Sequence, residues 1–269
     1  MTLPSWAPGG VDYDRPSPAR VYDAHLGGFH NFAVDREVAR RIAEVMPELP
    51  EILRANRSFL RRAVRHLVEA GITQFLDLGS GIPTVGNVHE VAQQANPGCR
   101  VAYVDIDPVA VAHGEALLAG DDRTLAVQAD LRRPEQVLSD PRVRGLLDFG
   151  RPMGVLMVAV LQFVADADDP AGITARYLHA VVPGSYLAIS HASQEGPTPS
   201  RAEQATEAYS RAVTDFWLRS RAEVTALFAG TELVDPGVVY LTEWHPDSPD
   251  DVGDDPSRMS TFAGVGRKR

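Results

Sequence analysis

Residues 74–84 read Gln-Phe-Leu-Asp-Leu-Gly-Ser-Gly-Ile-Pro-Thr, an apolar run followed by two closely spaced glycines. The apolar side chains before the turn suit a buried parallel strand, because both faces of such a strand are covered. Gly79 and Gly81 lack the Cβ atoms that would keep a ligand away from the backbone. Apolar positions at helical spacing then continue to Ala95, and Pro83 fits the first turn of a helix. The segment therefore indicates a strand, a glycine turn and a helix of an α/β sheet.

Two later segments repeat the pattern of a strand that ends in an acid. Residues 100–105 end at Asp105, and residues 125–130 end at Asp130. Ligands of open α/β sheets lie outside the carboxyl ends of the strands, where a carboxylate can accept hydrogen bonds from ribose hydroxyls. We interpret Asp105 as a ribose acceptor and Asp130 as an acceptor for the adenine amino group. The alternative is that both acids only cap the helices that follow them.

The glycine pattern argues against a dinucleotide. A dinucleotide fingerprint would need a third glycine at position 84, which is Thr84. The single lysine of the chain, Lys268, lies in the C-terminal tail, which excludes a phosphate-binding loop lysine and disfavours a pyridoxal-phosphate Schiff base. An adenosine-containing ligand without phosphates remains.

Four motifs in this order and spacing resemble those of class I S-adenosylmethionine-dependent methyltransferases over about residues 70–195. They are Asp77-Leu-Gly-Ser-Gly81, Tyr103-Val-Asp-Ile-Asp-Pro108, Gln128-Ala-Asp-Leu131 and Val182-Pro-Gly-Ser-Tyr-Leu-Ala-Ile-Ser190. Residues 16–36 and 81–90 resemble, more narrowly, a bacterial methyltransferase family whose substrate is not established. This second resemblance spans nearly the whole chain. It implies S-adenosylmethionine as cofactor and S-adenosylhomocysteine as product, and it leaves the methyl acceptor open.

The resemblance also implies which residues form the site. The expected cofactor-binding residues are Asp77, Gly79, Ser80, Gly81, Asp105, Ile106, Asp130, Leu131 and Ala159. The expected substrate pocket contains Tyr22, Asn31, Arg57 and Gln162. Residues 22–32 mix aromatics, histidines and a double glycine, so they either fold over the cofactor or anchor the N-terminal arm. Gln162 has an equally simple alternative, which is a hydrogen bond to a loop.

The predicted fold is a single α/β domain with a Rossmann-like, seven-stranded methyltransferase sheet. By resemblance, its strand order is 3-2-1-4-5-7-6, the last strand is antiparallel, and an N-terminal helical cap precedes the sheet. We expect a flexible arm over residues 1–18, the cap segment over 19–70 and the cofactor-binding core over 71–269. The spacing of the apolar residues also predicts a long helix over 201–220 and two final strands over 238–244 and 261–266.

Composition limits the possible partners. The 269 residues carry 26 basic and 36 acidic side chains, and the net charge of −10 argues against a nucleic-acid substrate. The single cysteine, Cys99, allows no internal disulfide and fits a reducing compartment. No secretion signal and no apolar run of ~18 residues is present, so we expect a cytoplasmic protein without a membrane partner. The histidine spacing matches no metal motif, and a small-molecule substrate is favoured.

The chemistry follows from the implied cofactor. A sulfonium methyl group is already electrophilic, so the protein mainly has to hold an acceptor lone pair in line with it and exclude water. A base helps if the acceptor is a hydroxyl or a protonated amine, and the candidates are Tyr22, His25, His30 and His191. The alternative hypothesis is a catalytically silent protein that binds S-adenosylmethionine as a sensor or partner-binding module.

Overall fold

The computed structural model describes residues 12–83, 86–197 and 199–269. In these ranges the central sheet contains eight strands. They are β1 Gln74–Leu78, β2 Arg100–Asp105, β3 Thr124–Gln128, β4 Gly154–Val158, β5 Tyr186–Ala192, β6 Thr231–Leu233, β7 Val239–Tyr240 and β8 Thr261–Lys268.

The strands follow the order β3-β2-β1-β4-β5-β8-β6, with β7 also paired to β8. Strands β1 to β5 are parallel, and β8 runs antiparallel to its neighbours β5, β6 and β7. The register pairs Leu78 with Val104, so the glycine turn after β1 and the acid at the end of β2 leave the sheet at one edge. The predicted Rossmann-like sheet with its antiparallel last strand is confirmed.

Ten α-helices surround the sheet within the described ranges. They are α1 Pro18–His25, α2 Ala33–Val45, α3 Leu49–Glu69, α4 Val88–Ala95, α5 Pro108–Leu117, α6 Pro134–Ser139, α7 Pro141–Leu146, α8 Pro170–Ala180, α9 Pro199–Ala212 and α10 Arg221–Ala226. The predicted N-terminal helices are therefore present. Among the helices described, none is long and apolar enough to cross a membrane.

The sheet is covered on both faces, because side chains of a strand alternate between them. Phe75 of β1 belongs to a buried cluster that includes Phe59 of α3. Leu76 and Leu78 belong to a second cluster that includes Tyr177 of α8. This two-sided burial explains the continuous apolar run of β1.

Two helix boundaries differ from the sequence prediction. Helix α4 begins only at Val88, where Asn87 and Glu90 form a capping box, so Pro83 lies outside it. Helix α9 ends at Ala212 rather than continuing to residue 220. The backbone N–H of Trp217 donates to Gln162 O at 2.8 Å, so this backbone binds the segment after β4 instead of extending the helix.

The predicted strand over 238–244 is reduced to β7. Its continuation is a turn, because the guanidinium of Arg62 on α3 donates to Trp244 O at 2.9 Å and to Leu241 O at 2.6 Å. Strand β6 was not predicted from the sequence, and it pairs with the C-terminal end of β8.

Candidate functional site

A cavity of about 670 Å³ lies at the carboxyl edge of strands β1 to β4. This volume falls within the range of roughly 300–1,000 Å³ that is typical of small-molecule sites. The ends of the strands line one side of the cavity, and residues of α1, α3 and α9 line the other. The cavity therefore lies where open α/β sheets bind their ligands.

The glycine turn after β1 directs its backbone donors into the protein. The N–H groups of Gly79 and Ser80 donate to Val104 O, at 2.7 and 3.1 Å. The N–H of Gly81 donates to Oδ2 of Asp105 at 2.7 Å. These donors are bound to β2 and do not form a phosphate-binding cradle, which fits a ligand without phosphates.

The two glycines of this turn differ in the space around them. Both have positive φ angles, +71° at Gly79 and +66° at Gly81, which disfavour other residues. A Cβ on Gly79 would lie 2.2 Å from Cγ2 of Val160, whereas a Cβ on Gly81 would meet nothing within 4 Å. Gly79 is thus required by packing against the segment after β4, and the open space is at Gly81.

Two buried carboxyls lie beside this turn. Burial raises the pKa of Asp77 to about 7, although the nearby charge of Arg57 lowers it. Burial also raises the pKa of Asp105 to about 6, against the backbone N–H groups of Asp107 and Gly81. Asp107 N donates to Oδ1 of Asp105 at 2.8 Å. A cationic ligand would favour the charged forms of both groups.

Asp130 and Leu131 follow β3 and also line the cavity. Burial opposes ionisation of Asp130, but its hydrogen bonds with Arg132 outweigh this effect and hold its pKa below the ordinary value. The closest contact joins Nη2 of Arg132 to Oδ2 of Asp130 at 2.7 Å. Ile106, after β2, lines the cavity and is 57% exposed, so it offers apolar surface to a flat ring.

A chain of hydrogen bonds connects the end of β4 to α1. Ala159 has a φ of +54°, and its N–H donates to Oγ of Ser190 at 3.0 Å. The Ser190 hydroxyl donates to Oδ1 of Asn56, whose Nδ2 donates to Tyr22 Oη at 3.1 Å. The Tyr22 hydroxyl donates in turn to Leu53 O at 3.2 Å. Asn56 and Ser190 were not predicted as site residues, although Ser190 ends a quoted motif and Asn56 directly precedes the predicted pocket residue Arg57.

Two of the four candidate bases, Tyr22 and His25, line the cavity. Burial raises the pKa of Tyr22, and its proton is donated to Leu53. Burial lowers the pKa of His25 to about 4, so its imidazole is neutral near pH 7. The Nε2 atom of His25 is buried and has no hydrogen-bond partner among the described residues.

The other two candidate bases are outside the lining of the cavity. His191 is fully buried, and its Nε2 lies 2.7 Å from Nη1 of Arg219. Because a guanidinium can only donate, Nε2 accepts and Nδ1 carries the proton that bonds Ala192 O at 2.8 Å. His30 lies against His113, with ring centroids 3.6 Å apart.

Three of the four residues predicted for the substrate pocket line the cavity, and one does not. Asn31 lies outside the lining and holds the loop after α1, since its Nδ2 donates to Oδ2 of Asp23 at 2.7 Å and to Gly28 O at 2.8 Å. Tyr22, Arg57 and Gln162 line the cavity. Nη2 of Arg57 donates to Gly86 O at 3.2 Å.

The strand order and the antiparallel β8 beside β5 define a class I methyltransferase fold, with a site at the ends of β1 to β3 whose described N–H groups at residues 79–81 are bound within the protein. The chain belongs to the S-adenosyl methyltransferase family, whose family model matches residues 4–269. Its cofactor is accordingly S-adenosylmethionine, and the family supports methyltransferase activity.

Two solved structures are similar over almost their whole length. A candidate methyltransferase from Thermobifida fusca shares 43% identity, with a TM-score of 0.92 and coverage of 99% of this chain and 100% of that one. A DUF574 family protein from Streptomyces avermitilis shares 39% identity, with a TM-score of 0.92 and coverage of 96% and 99%. The pyocyanin biosynthetic protein PhzM, at 18% identity and a TM-score of 0.51 over 82% of this chain and 57% of its own, is similar in fold alone. No curated protein matches the chain.

Proposed function

We propose that the protein transfers a methyl group from S-adenosylmethionine to a small molecule that binds in the same cavity. The observation that carries the proposal is the convergence of Asp77, Asp105 and Asp130 with the open turn at Gly81 on one cavity. Carboxylates suit a cofactor with a sulfonium and an ammonium group, and they can accept hydrogen bonds from ribose hydroxyls. The residues present therefore fit S-adenosylmethionine.

Each cofactor contact has a residue suited to it. Asp105 would hold the ribose, because its two oxygens accept backbone N–H groups and together have about four lone-pair sites, which leaves room for a hydroxyl. Ile106 and Leu131 would pack on the adenine ring, and Asp130 would accept from its amino group. Asp77 would lie near the positive groups. Gly79, Ser80, Gly81 and Ala159 would complete the wall.

The cofactor, when bound, supplies a methyl group on a positively charged sulfur: the lone pair of the acceptor would bond to the methyl carbon, the carbon–sulfur bond would break, and S-adenosylhomocysteine would be the leaving group. The chain has to orient the acceptor and exclude water. We place His25 as the base for a hydroxyl or amine acceptor, since its imidazole lines the cavity, is neutral near pH 7 and has a buried Nε2 without a partner among the described residues. Tyr22 is an anchor of the wall, because its proton is already donated to Leu53.

The size of the cavity and the charge of the protein support a small acceptor. About 670 Å³ has to contain the cofactor and the acceptor together, between the sheet edge and helices α1, α3 and α9. A net charge of −10 disfavours nucleic acid.

A thermal-shift titration tests the cofactor site. We expect S-adenosylmethionine and S-adenosylhomocysteine at ~100 times their Kd to add about 2.7 kcal/mol of stability, or roughly 5–10 °C, and NAD to add none. Asp105→Ala should abolish the shift, while the exposed Asp122→Asn should retain it. If neither adenosyl ligand stabilises the ligand-free wild-type protein, the proposal is wrong.

A turnover assay then separates an enzyme from a silent binder. An enzyme should release S-adenosylhomocysteine when S-adenosylmethionine and a metabolite extract are added, and a silent binder should release none.

A further inference from the structure

One wall of the cavity is mainly apolar. It is formed by side chains from the end of α2, from α3, α9 and the two segments that follow β4 and α9; they include Ile42, Met46, Ile52, Phe163, Tyr209 and Phe216. Among the described residues, those that α9 and segment 213–218 contribute to the wall are uncharged. A charged acceptor packed on α9 and segment 213–218 would lose its hydration without gaining a counter-charge there. The charged side chains of the cavity, Arg57 among them, lie on other elements, so this part of the wall favours a neutral group.

Three aromatic side chains of this wall pack against one another. The ring centroids of Tyr209 and Phe216 are 5.3 Å apart, and those of Phe163 and Phe216 are 5.4 Å apart. Phe163 and Tyr209 are 5.8 Å apart. Aromatic groups contribute large apolar contact area and prefer edge or offset contact with another ring. The cluster therefore suits a flat, apolar body.

Gln162 places an unpaired acceptor beside this wall. The residue is 7% exposed, and its Nε2 donates to Ala159 O at 2.9 Å. This bond fixes the orientation of the amide, since the opposite orientation would set two carbonyl oxygens against each other. Oε1 is buried and has no donor among the described residues. A buried acceptor without a donor is energetically unfavourable, and a donor on a bound molecule removes this cost.

We propose that the methyl acceptor is a neutral, flat and largely apolar molecule whose hydroxyl or N–H group donates a hydrogen bond to Oε1 of Gln162. This inference rests on the proposed function, because it requires the acceptor to share the cavity with the cofactor. Gln162 is then a residue that selects the acceptor: a molecule of the same shape without a donor leaves Oε1 unpaired and binds more weakly.

Binding of three matched probes to the protein saturated with S-adenosylhomocysteine tests this assignment. The probes are 1-naphthol, which has a donor; 1-fluoronaphthalene, which has nearly the same shape without one; and 1-naphthoate, which is an anion. Isothermal titration should show that wild-type protein prefers 1-naphthol to 1-fluoronaphthalene by about 10-fold, and prefers both to 1-naphthoate. Gln162→Met should reduce the first preference to less than twofold. Gln93→Met, the same change on α4 outside the cavity, should retain it.

The wild-type preference alone can overturn the inference, whatever the stability of the variant. Equal affinity for 1-naphthol and 1-fluoronaphthalene, tighter binding of 1-naphthoate, or no binding of 1-naphthol at millimolar concentration would each do so. A preference that persists in Gln162→Met would assign the donor contact to another residue and would also overturn it. Failure of the proposed function is distinct, because S-adenosylhomocysteine would then fail to stabilise wild-type protein before any probe is added.

Discussion

Asp77 is a carboxyl group that folding makes harder to ionise. It is 5% exposed, and burial raises its pKa to about 7, with Arg57 lowering and Asp105 raising it. The pKa of an aspartate side chain in an unfolded chain is about 3.9. The folded protein therefore binds this proton more tightly than the unfolded chain does. The contribution of the Asp77 carboxyl to the free energy of unfolding is therefore fully present below about pH 4, and it is lost as the pH rises through about 7.

Asp77→Asn should therefore stabilise the ligand-free protein at high pH. One unit of pKa corresponds to about 1.4 kcal/mol, so we expect a gain of at least about 1 kcal/mol at pH ~8, or roughly 2–4 °C in Tm. The gain should disappear below about pH 4. Thermal melts across this range measure it, with the exposed Asp122→Asn as the control that should show no gain. Equal melting of Asp77→Asn and wild type at pH ~8 would contradict the assigned pKa.

The sequence could locate some of these residues and not others. Asp105 follows from topology, because parallel strands bring their carboxyl ends to one edge, whereas Asp77 and Ala159 are implied by the resemblance to methyltransferases. The environments of histidines depend on distant segments: His191 is bound by Arg219, which no local pattern connects to β5. The unpaired Oε1 of Gln162 is likewise a property of packing, not of residue type.

At the scale of elements, buried parallel strands were the most predictable parts. Their continuous apolar runs fix β1 and β2 to within a few residues, because both sheet faces are covered. The last elements were less predictable since side chains from far along the chain decide them. The only lysine illustrates this: Nζ of Lys268 donates to Leu178 O at 2.8 Å and to Val181 O at 2.7 Å at the end of α8.

Arg62 has the same kind of role, since it binds the turn after β7 through Trp244 O and Leu241 O. Arg62→Met should leave these carbonyl groups without their donor and lower the free energy of unfolding by about 2 kcal/mol, or roughly 4–8 °C in Tm. The Kd for S-adenosylhomocysteine should not change, because Arg62 is outside the lining of the cavity. Thermal melts and calorimetric titration measure the two effects. A large loss of affinity would show that the turn shapes the site.

On the scale of the whole molecule, a buried charge cluster joins the N-terminal helices to the cofactor end of the sheet. Nε of Arg20 on α1 lies 3.5 Å from Oδ1 of Asp35 on α2 and 3.6 Å from Oδ2 of Asp107. Asp107 caps α5 and also accepts from the Ser17 hydroxyl. Its backbone N–H donates to Asp105 at 2.8 Å. The position of α1 is thereby coupled to the proposed ribose acceptor.

Breaking this cluster should affect stability and cofactor binding together. Arg20→Met leaves two buried carboxyls without their cation, so we expect a loss of about 3 kcal/mol, or roughly 6–12 °C in Tm. The Kd for S-adenosylhomocysteine should rise about fivefold or more, a coupling of ordinary size. Thermal melts and calorimetric titration measure both quantities.

Two further variants separate coupling from other causes of weaker binding. Arg20 itself lines the cavity, whereas Asp35 does not, so Asp35→Asn should weaken binding in the same direction without removing a direct contact. Arg62→Met serves as the matched control for lost stability, since it should lower Tm and leave the Kd unchanged. If Asp35→Asn binds as tightly as wild type while Arg20→Met does not, Arg20 acts by touching the cofactor. If neither binds more weakly, the N-terminal helices support the fold without tuning the site.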